Sequence, residues 1–280
     1  MGADKAIEKG DFLPSGYEMQ FGSGKIDRID TCFDNDCVYV KVTDYKTGMK
    51  SFDITALYHG LQMQLPVYLN AALDVEQRKH PHKTIVPAGI FYYRIQDPIV
   101  SEEKTQDAVE RSILKELKQD GLVNGDDMVI SHLEKELSGN SLLFPIGRNK
   151  VGSLSKTSHA LPEELFRLVL SFAKRKEESV KDRMYDGEVS ASPYEMGETT
   201  GCDYCPYRDI CGFDPRLEGC SYRRLERYSS DDAVKKMREA LEKMSAGTLR
   251  KTSKAGKAGK DKNGREMDRT AAKGHRSAKS

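Results

Sequence analysis

"GSGKIDRIDTCFDNDCVYVKVTDYKTG", residues 22–48, is two runs of β-branched, aromatic and alternating residues separated by Asp34-Asn35-Asp36. That composition predicts two strands joined by a tight turn, since Asp and Asn accept the backbone conformations a turn needs. Strand residues two apart share a face, so Asp44 and Lys46 point the same way, and hairpin pairing brings Asp27 beside Asp44. Two carboxylates and a lysine on one face suit a hard divalent cation such as Mg²⁺, which takes a few oxygens and keeps waters. Glu18, on the preceding strand "YEMQF" (17–21), offers a third carboxylate. Taken alone, Asp-x-Lys is usually a solvated strand edge. Here it ends an apolar strand, which favours the metal reading.

Downstream, Leu57, Leu61, Leu65, Tyr68, Leu69 and Ala72 recur at helical spacing between Ile54 and Leu73, with a kink or break expected at Pro66. "AGIFYYRI" (88–95) reads as a strand and 102–119 as a charged amphipathic helix ending before Gly121. Residues 122–158 read as irregular and polar, a loop with a short helix and a strand. Residues 161–187 form a long helix with Pro162 in its first turn and Gly187 after its end, and 229–244 a last helix with a Ser-Asp cap. Strands, then helix, strand and helices imply an α/β core with a helical side.

Of the 280 residues, 38% are hydrophobic and 32% charged, enough for one domain and appendages. No apolar run approaches the roughly 20 residues of a membrane span. The opening "MGADKAIEKGDF" lacks the apolar stretch of a secretory signal, and Ala6 stands where a myristoylated chain carries Ser or Thr. The expectation is a cytoplasmic protein without membrane partners. The net charge of +1 conceals an asymmetry: residues 246–280 carry eleven Lys or Arg and three Asp or Glu, a net of +8, leaving −7 on the rest. That Lys-, Gly-, Ala- and Ser-rich tail is expected to be disordered and able to touch phosphates nonspecifically.

In a reducing compartment, six cysteines are not expected to form disulfides. Cys32, Cys37 and Cys220 are scattered and read as buried or idle thiols. Cys202, Cys205 and Cys211 cluster in "GCDYCPYRDICGFDP", residues 201–215. By spacing alone they leave open a zinc knuckle, an iron–sulfur cluster, or three unligated thiols.

In that order, "GSGKIDRID", "VKVTDYKTG" and "GLQMQLPVYL" resemble the nuclease domain of the RecB-type branch of the PD-(D/E)xK superfamily, most closely that of the AddB subunits of bacterial AddAB helicase–nucleases. The resemblance covers roughly residues 10–228. It implies a small mixed sheet flanked by helices and a catalytic set of Glu18, Asp27, Asp44, Lys46, Gln64 and Tyr68. Asp27, Asp44 and the Tyr45 backbone carbonyl would be ligands to Mg²⁺. It implies phosphodiester hydrolysis, with Lys46 offsetting the developing charge and Gln64 and Tyr68 holding the DNA strand and the site. Arg28 and Asp30, in the same string, are expected to be supporting or structural.

The cysteine segment likewise resembles the C-terminal signature of AddB proteins. This implies that Cys202, Cys205 and Cys211 bind a [4Fe–4S] cluster with a fourth cysteine far upstream, absent from this chain. Tyr204, Pro206, Tyr207 and Phe213 would shield it. The missing ligand implies part of a longer subunit, working on double-strand DNA ends with an AddA-like helicase–nuclease partner in recombinational repair. The expected layout is a nuclease domain over 1–228, including the Cys-rich segment, a helix over 229–245 and the basic tail over 246–280. The competing readings are a truncated, non-catalytic DNA-binding or assembly module and a zinc-binding accessory protein.

Overall fold

The computed structural model describes residues 2–22, 24–99 and 105–245. The chain divides into two compact units, Met1–Met237 and Arg238–Ser280. The expected disordered tail lies outside the described residues.

The first unit is built on six strands in sequence order: β1 (Leu13–Phe21), β2 (Gly24–Asp34), β3 (Cys37–Lys46), β4 (Thr84–Arg94), β5 (Asp120–Asn124) and β6 (Ala160–Leu161). The β1–β2, β2–β3 and β4–β5 pairs are antiparallel, whereas β3–β4 and β5–β6 are parallel, so the sheet is mixed. Three helices precede or enter the first crossover: α1 (Gly2–Lys9), α2 (Ile54–His59) and α3 (Gln64–Lys79). Three more follow β4: α4 (Gln106–Glu116), α5 (Asp127–Leu133) and α6 (Glu163–Tyr185). A second small sheet, β7 (Tyr194–Met196), β8 (Thr199–Thr200) and β9 (Arg223–Arg224), closes the base of the cysteine segment. Residues 230–245 are helical. The Ser229 hydroxyl accepts from the Asp232 amide at 3.2 Å, the expected cap.

The helix expected over Ile54–Leu73 is two helices, and the break precedes Pro66. Gly60, with φ +87, caps α2 in the left-handed conformation. Pro66 falls in the first turn of α3, where no intrahelical partner awaits its missing N–H. Asp53 caps the start of α2, accepting from the Thr55 and Ala56 amides. The helix expected over 102–119 is shorter, and Asp120–Asn124 is a strand. Its Asp, Gly and Asn read as loop, but pairing with β4 overrides that local preference.

The two faces of the sheet bury different things. On one face α3 lies across β3 and β4 and packs against α6, with Leu65, Leu69 and Ala72 fully buried. On the other, Phe12, Tyr39, Phe91, Val129, Ile130, Leu133 and Phe144 form one apolar cluster. Within that second layer, Asp30 accepts from Arg28 Nε at 2.7 Å and pairs with Lys41, all three buried. The Lys41 ammonium stands within 6.0 Å of the Phe12, Phe91 and Phe144 rings. Burial pulls its proton affinity down against the attraction of Asp30.

Candidate active site at the open end of the hairpin

The register of β2 on β3 sets Arg28 opposite Thr43, and the next step along each strand places Asp27 opposite Asp44. By alternation both carboxylates stand on the face covered by α3. The ladder ends there, and the Asp27 side chain continues it, its Oδ2 accepting from the Tyr45 amide at 2.8 Å. The Tyr45 side chain points to the far face, where its hydroxyl accepts from Arg28 Nη1 at 3.4 Å. Thus Arg28 and Asp30 lie on the opposite face of the sheet from Asp27 and Asp44.

Asp44 is 2% exposed. Its Oδ1 accepts from Gln64 Nε2 at 2.9 Å, and its Oδ2 is ion-paired with Lys46. Lys46 in turn donates to Gln64 Oε1 at 3.2 Å. Gln64 Nε2 also reaches the Tyr68 hydroxyl, at 3.2 Å, one helical turn further along α3. Four of the expected residues therefore form one hydrogen-bonded network, with Asp27 facing it across the hairpin. Burial raises the proton affinity of Asp44, Lys46 opposes this, and the Asp27 charge adds to it.

These features fit a divalent cation. Among the described residues Asp44 Oδ2 is buried with no hydrogen bond and is ion-paired with the Lys46 ammonium. Two carboxylates of like charge face each other, and the ionised form of the buried one is disfavoured. A cation between them relieves both penalties.

Glu18 takes a different place. It lies on β1, largely exposed and with φ +49, and accepts from Lys25 at 2.8 Å. No hydrogen bond joins it to Asp27, Asp44 or Lys46 among the described residues.

Several nearby side chains escape a strand-by-strand reading. The parallel register of β3 on β4 puts Tyr92 beside Asp44 and Arg94 beside Lys46, and β5 adds Asp120 beside Tyr92. Among the described residues the Tyr92 hydroxyl and Arg94 Nε are buried without hydrogen-bond partners. Lys50 stands 5.2 Å from the Tyr92 ring. The alternation in "GIFYYR" carries Tyr92 and Arg94 on one face, but only the β3–β4 pairing shows which face.

Asp120 accepts from the Phe52 amide at 2.9 Å and lies 3.3 Å from His159 Nδ1. The Asp120 bond raises the pKa of His159 against burial. The pair's stabilisation is complete below the ordinary histidine value and is lost as pH rises through the raised one. NMR titration of the ring should give a midpoint above about 6.5, returning toward it in Asp120→Asn. Beside this pair is a cleft of about 760 Å³ lined by Phe52, Thr55, Lys156, His159, Arg227 and Tyr228, with none of the Asp44 network in its lining.

The cysteine segment is a run of turns closed by β7 and β9. Cys202 and Cys205 are half-buried and Cys211 is exposed, its sulfur accepting from the Phe213 amide at 3.4 Å. Among the described residues the three sulfurs are not all brought within 4.8 Å of one another. The expected apolar shield is open: Tyr204 is 96% exposed, and Pro206 and Tyr207 are exposed too. Phe213 alone of the four is half-buried, packed on Tyr222 with ring centroids 5.0 Å apart. Among the described residues no second layer covers this turn-rich loop.

No helix among the described residues is long and apolar enough to cross a membrane.

Comparison with known proteins agrees with the fold. Residues 2–212 match the PD-(D/E)XK nuclease superfamily. The AddB protein of Alkaliphilus metalliredigens, a component of its ATP-dependent helicase/deoxyribonuclease, is 36% identical over 259 residues, covering 85% of this chain and 22% of that protein. The AddB protein of Clostridioides difficile is 34% identical over 258 residues, covering 83% and 22%. The chain thus spans about a fifth of the length of these relatives. With a mixed six-stranded sheet flanked by helices and a match over three quarters of its length, the chain belongs to the PD-(D/E)XK nuclease superfamily.

Proposed function

We propose that this chain is a Mg²⁺-dependent deoxyribonuclease domain, of exonuclease type, and the nuclease portion of an AddB-like subunit. The reading rests on the network joining Asp44, Lys46, Gln64 and Tyr68 opposite Asp27. Asp27, Asp44 and the Tyr45 carbonyl would hold Mg²⁺. When bound, the ion activates water and offsets charge on the phosphoryl oxygens.

The chain's own groups do the rest. Lys46 places a positive charge beside Asp44, where charge develops on the phosphate. Gln64 holds Asp44 and Lys46 at a fixed separation by bonding both, and Tyr68 holds the Gln64 amide. Preorganised donors of this kind stabilise a transition state without rearranging during reaction. Glu18 belongs at the rim, where DNA displaces its exposed pairing with Lys25. Cys202, Cys205 and Cys211 hold a [4Fe–4S] cluster together with a fourth thiolate that their segment does not supply.

The relatives' name supports DNA as substrate and a helicase–nuclease assembly as the setting. On this reading the chain works in the cytoplasm with an AddA-like partner at double-strand ends. The test is cleavage of end-labelled linear duplex with Mg²⁺, beside a covalently closed circle of the same sequence. Label release from the linear substrate alone is expected. No Mg²⁺-dependent cleavage, alone or with a helicase partner, would sink the enzyme reading.

A further inference from the structure

Three side chains from separate elements meet at the other end of the same hairpin. Asp11 follows α1, Cys32 lies on β2 and His132 is in the last turn of α5. One ligand atom from each falls within 4.8 Å of the others. Among the described residues this is the one such group of three or more His, Cys, Asp or Glu.

The backbone holds the group together. The Asp11 amide donates to the His132 carbonyl at 2.8 Å, and the Lys135 amide to the Lys9 carbonyl at 3.0 Å. At Gly10 between them, a Cβ would stand 2.5 Å from the Leu133 carbonyl oxygen, so the two segments approach only because a glycine is there.

The side chains are unevenly satisfied. His132 Nδ1 bonds Asp11 Oδ2 at 3.0 Å, while buried Nε2 makes no hydrogen bond among the described residues and faces Asp34 Oδ2 at 3.5 Å. Cys32 is 3% exposed, and its thiol makes no hydrogen bond among the described residues. Lys135 occupies the other Asp11 oxygen at 2.6 Å, leaving Oδ2 turned to the imidazole. Tyr39 packs on the His132 ring, with centroids 4.8 Å apart.

We propose that Asp11, Cys32 and His132 form a metal site for a zinc-class divalent ion, distinct from the Asp44 network. A thiolate, an imidazole and a carboxylate select a borderline ion such as Zn²⁺ over Mg²⁺ or Ca²⁺. Tetrahedral zinc takes a fourth ligand, and a water supplies it. Binding replaces the thiol proton of Cys32 and releases it to solvent. Cys32 pairs with Tyr39 near the closed end of β2–β3, about 17 Å along the strand from Asp27 and on the opposite face. The ion would tie α1 and α5 to the sheet and leave the Asp44 network untouched.

The test uses the full chain with Cys202, Cys205 and Cys211 all changed to Ser, so that the C-terminal thiols cannot take up metal. After chelation under reductant and desalting, Zn²⁺ is titrated and the retained metal counted. One equivalent per chain is expected, with a proton released per ion. The unfolding midpoint should rise by roughly 5–10 °C at a hundredfold excess over Kd. Cys32→Ala and His132→Gln should each abolish retention. Should either fail to fold, Asp11→Asn, at a partly exposed position, should weaken binding at least tenfold in a folded chain. No retained zinc, or undiminished binding in the folded variants, overturns the proposal.

Discussion

Asp44→Asn is expected to lower DNA cleavage roughly 10³-fold while leaving the metal-free fold no less stable. The two effects have one cause. Burial holds the Asp44 carboxyl above its ordinary pKa, so the fold prefers the protonated form and ionised Asp44 costs stability at neutral pH. That cost is absent below the ordinary carboxyl range and sets in as pH rises through it. Asparagine keeps an acceptor for Gln64 and removes the buried charge, though it gives up the pairing with Lys46. Thermal unfolding without metal should therefore show a midpoint at or above wild type. Lys46→Met separates binding from chemistry. Calorimetric titration should show Mg²⁺ still taken up, with cleavage lost by about 10²-fold or more, whereas Asp44→Asn loses both. Cleavage by Asp44→Asn within tenfold of wild type would remove Asp44 from the chemistry.

Asp30→Ala should be the most damaging single change to the fold, costing about 3–5 kcal/mol in denaturant unfolding. Asp30 is fully buried between Arg28 and Lys41, and without it two buried cations lose their counter-charge. Lys41, already pushed toward neutrality by burial, sheds its proton to limit the penalty. A lysine whose folded pKa lies below its unfolded value makes stability rise with pH. The variant should therefore recover stability as pH is raised from neutral toward about 10, more than wild type does. Adding Lys41→Met removes one of the stranded charges and should restore part of the loss. An Asp30→Ala chain within about 1 kcal/mol of wild type would show that the cluster is solvated.

Residues 17–46 revealed their strands because alternation and a strong turn are local signals, and Asp27, Asp44 and Lys46 followed from them. Gln64 and Tyr68 were reachable as site residues only through the family resemblance. Tyr92, Arg94 and Asp120 were not, because their place beside Asp44 depends on parallel pairing across a helical crossover. The same limit hid where the short strand expected after Gly121 begins and pairs, since the composition of β5 reads as loop, and the break at Gly60, for which Pro66 was the more conspicuous signal. Cys32 read as an idle thiol for a related reason. Its neighbours Asp11 and His132 are 21 and 100 residues away along the chain.

The turn between β2 and β3 spans only Asn35 and Asp36, whereas β3 reaches β4 through α2 and α3. Loop-closure entropy grows with connection length, so the hairpin closes before the crossover does. Along the folding route Asp27 and Asp44 thus come together while Gln64 and Tyr68 are still unplaced. Two like charges meeting early would drive the ends apart again. Lys46, at the end of the same hairpin, supplies the opposite charge at that moment, so the nascent ribbon carries its own neutraliser.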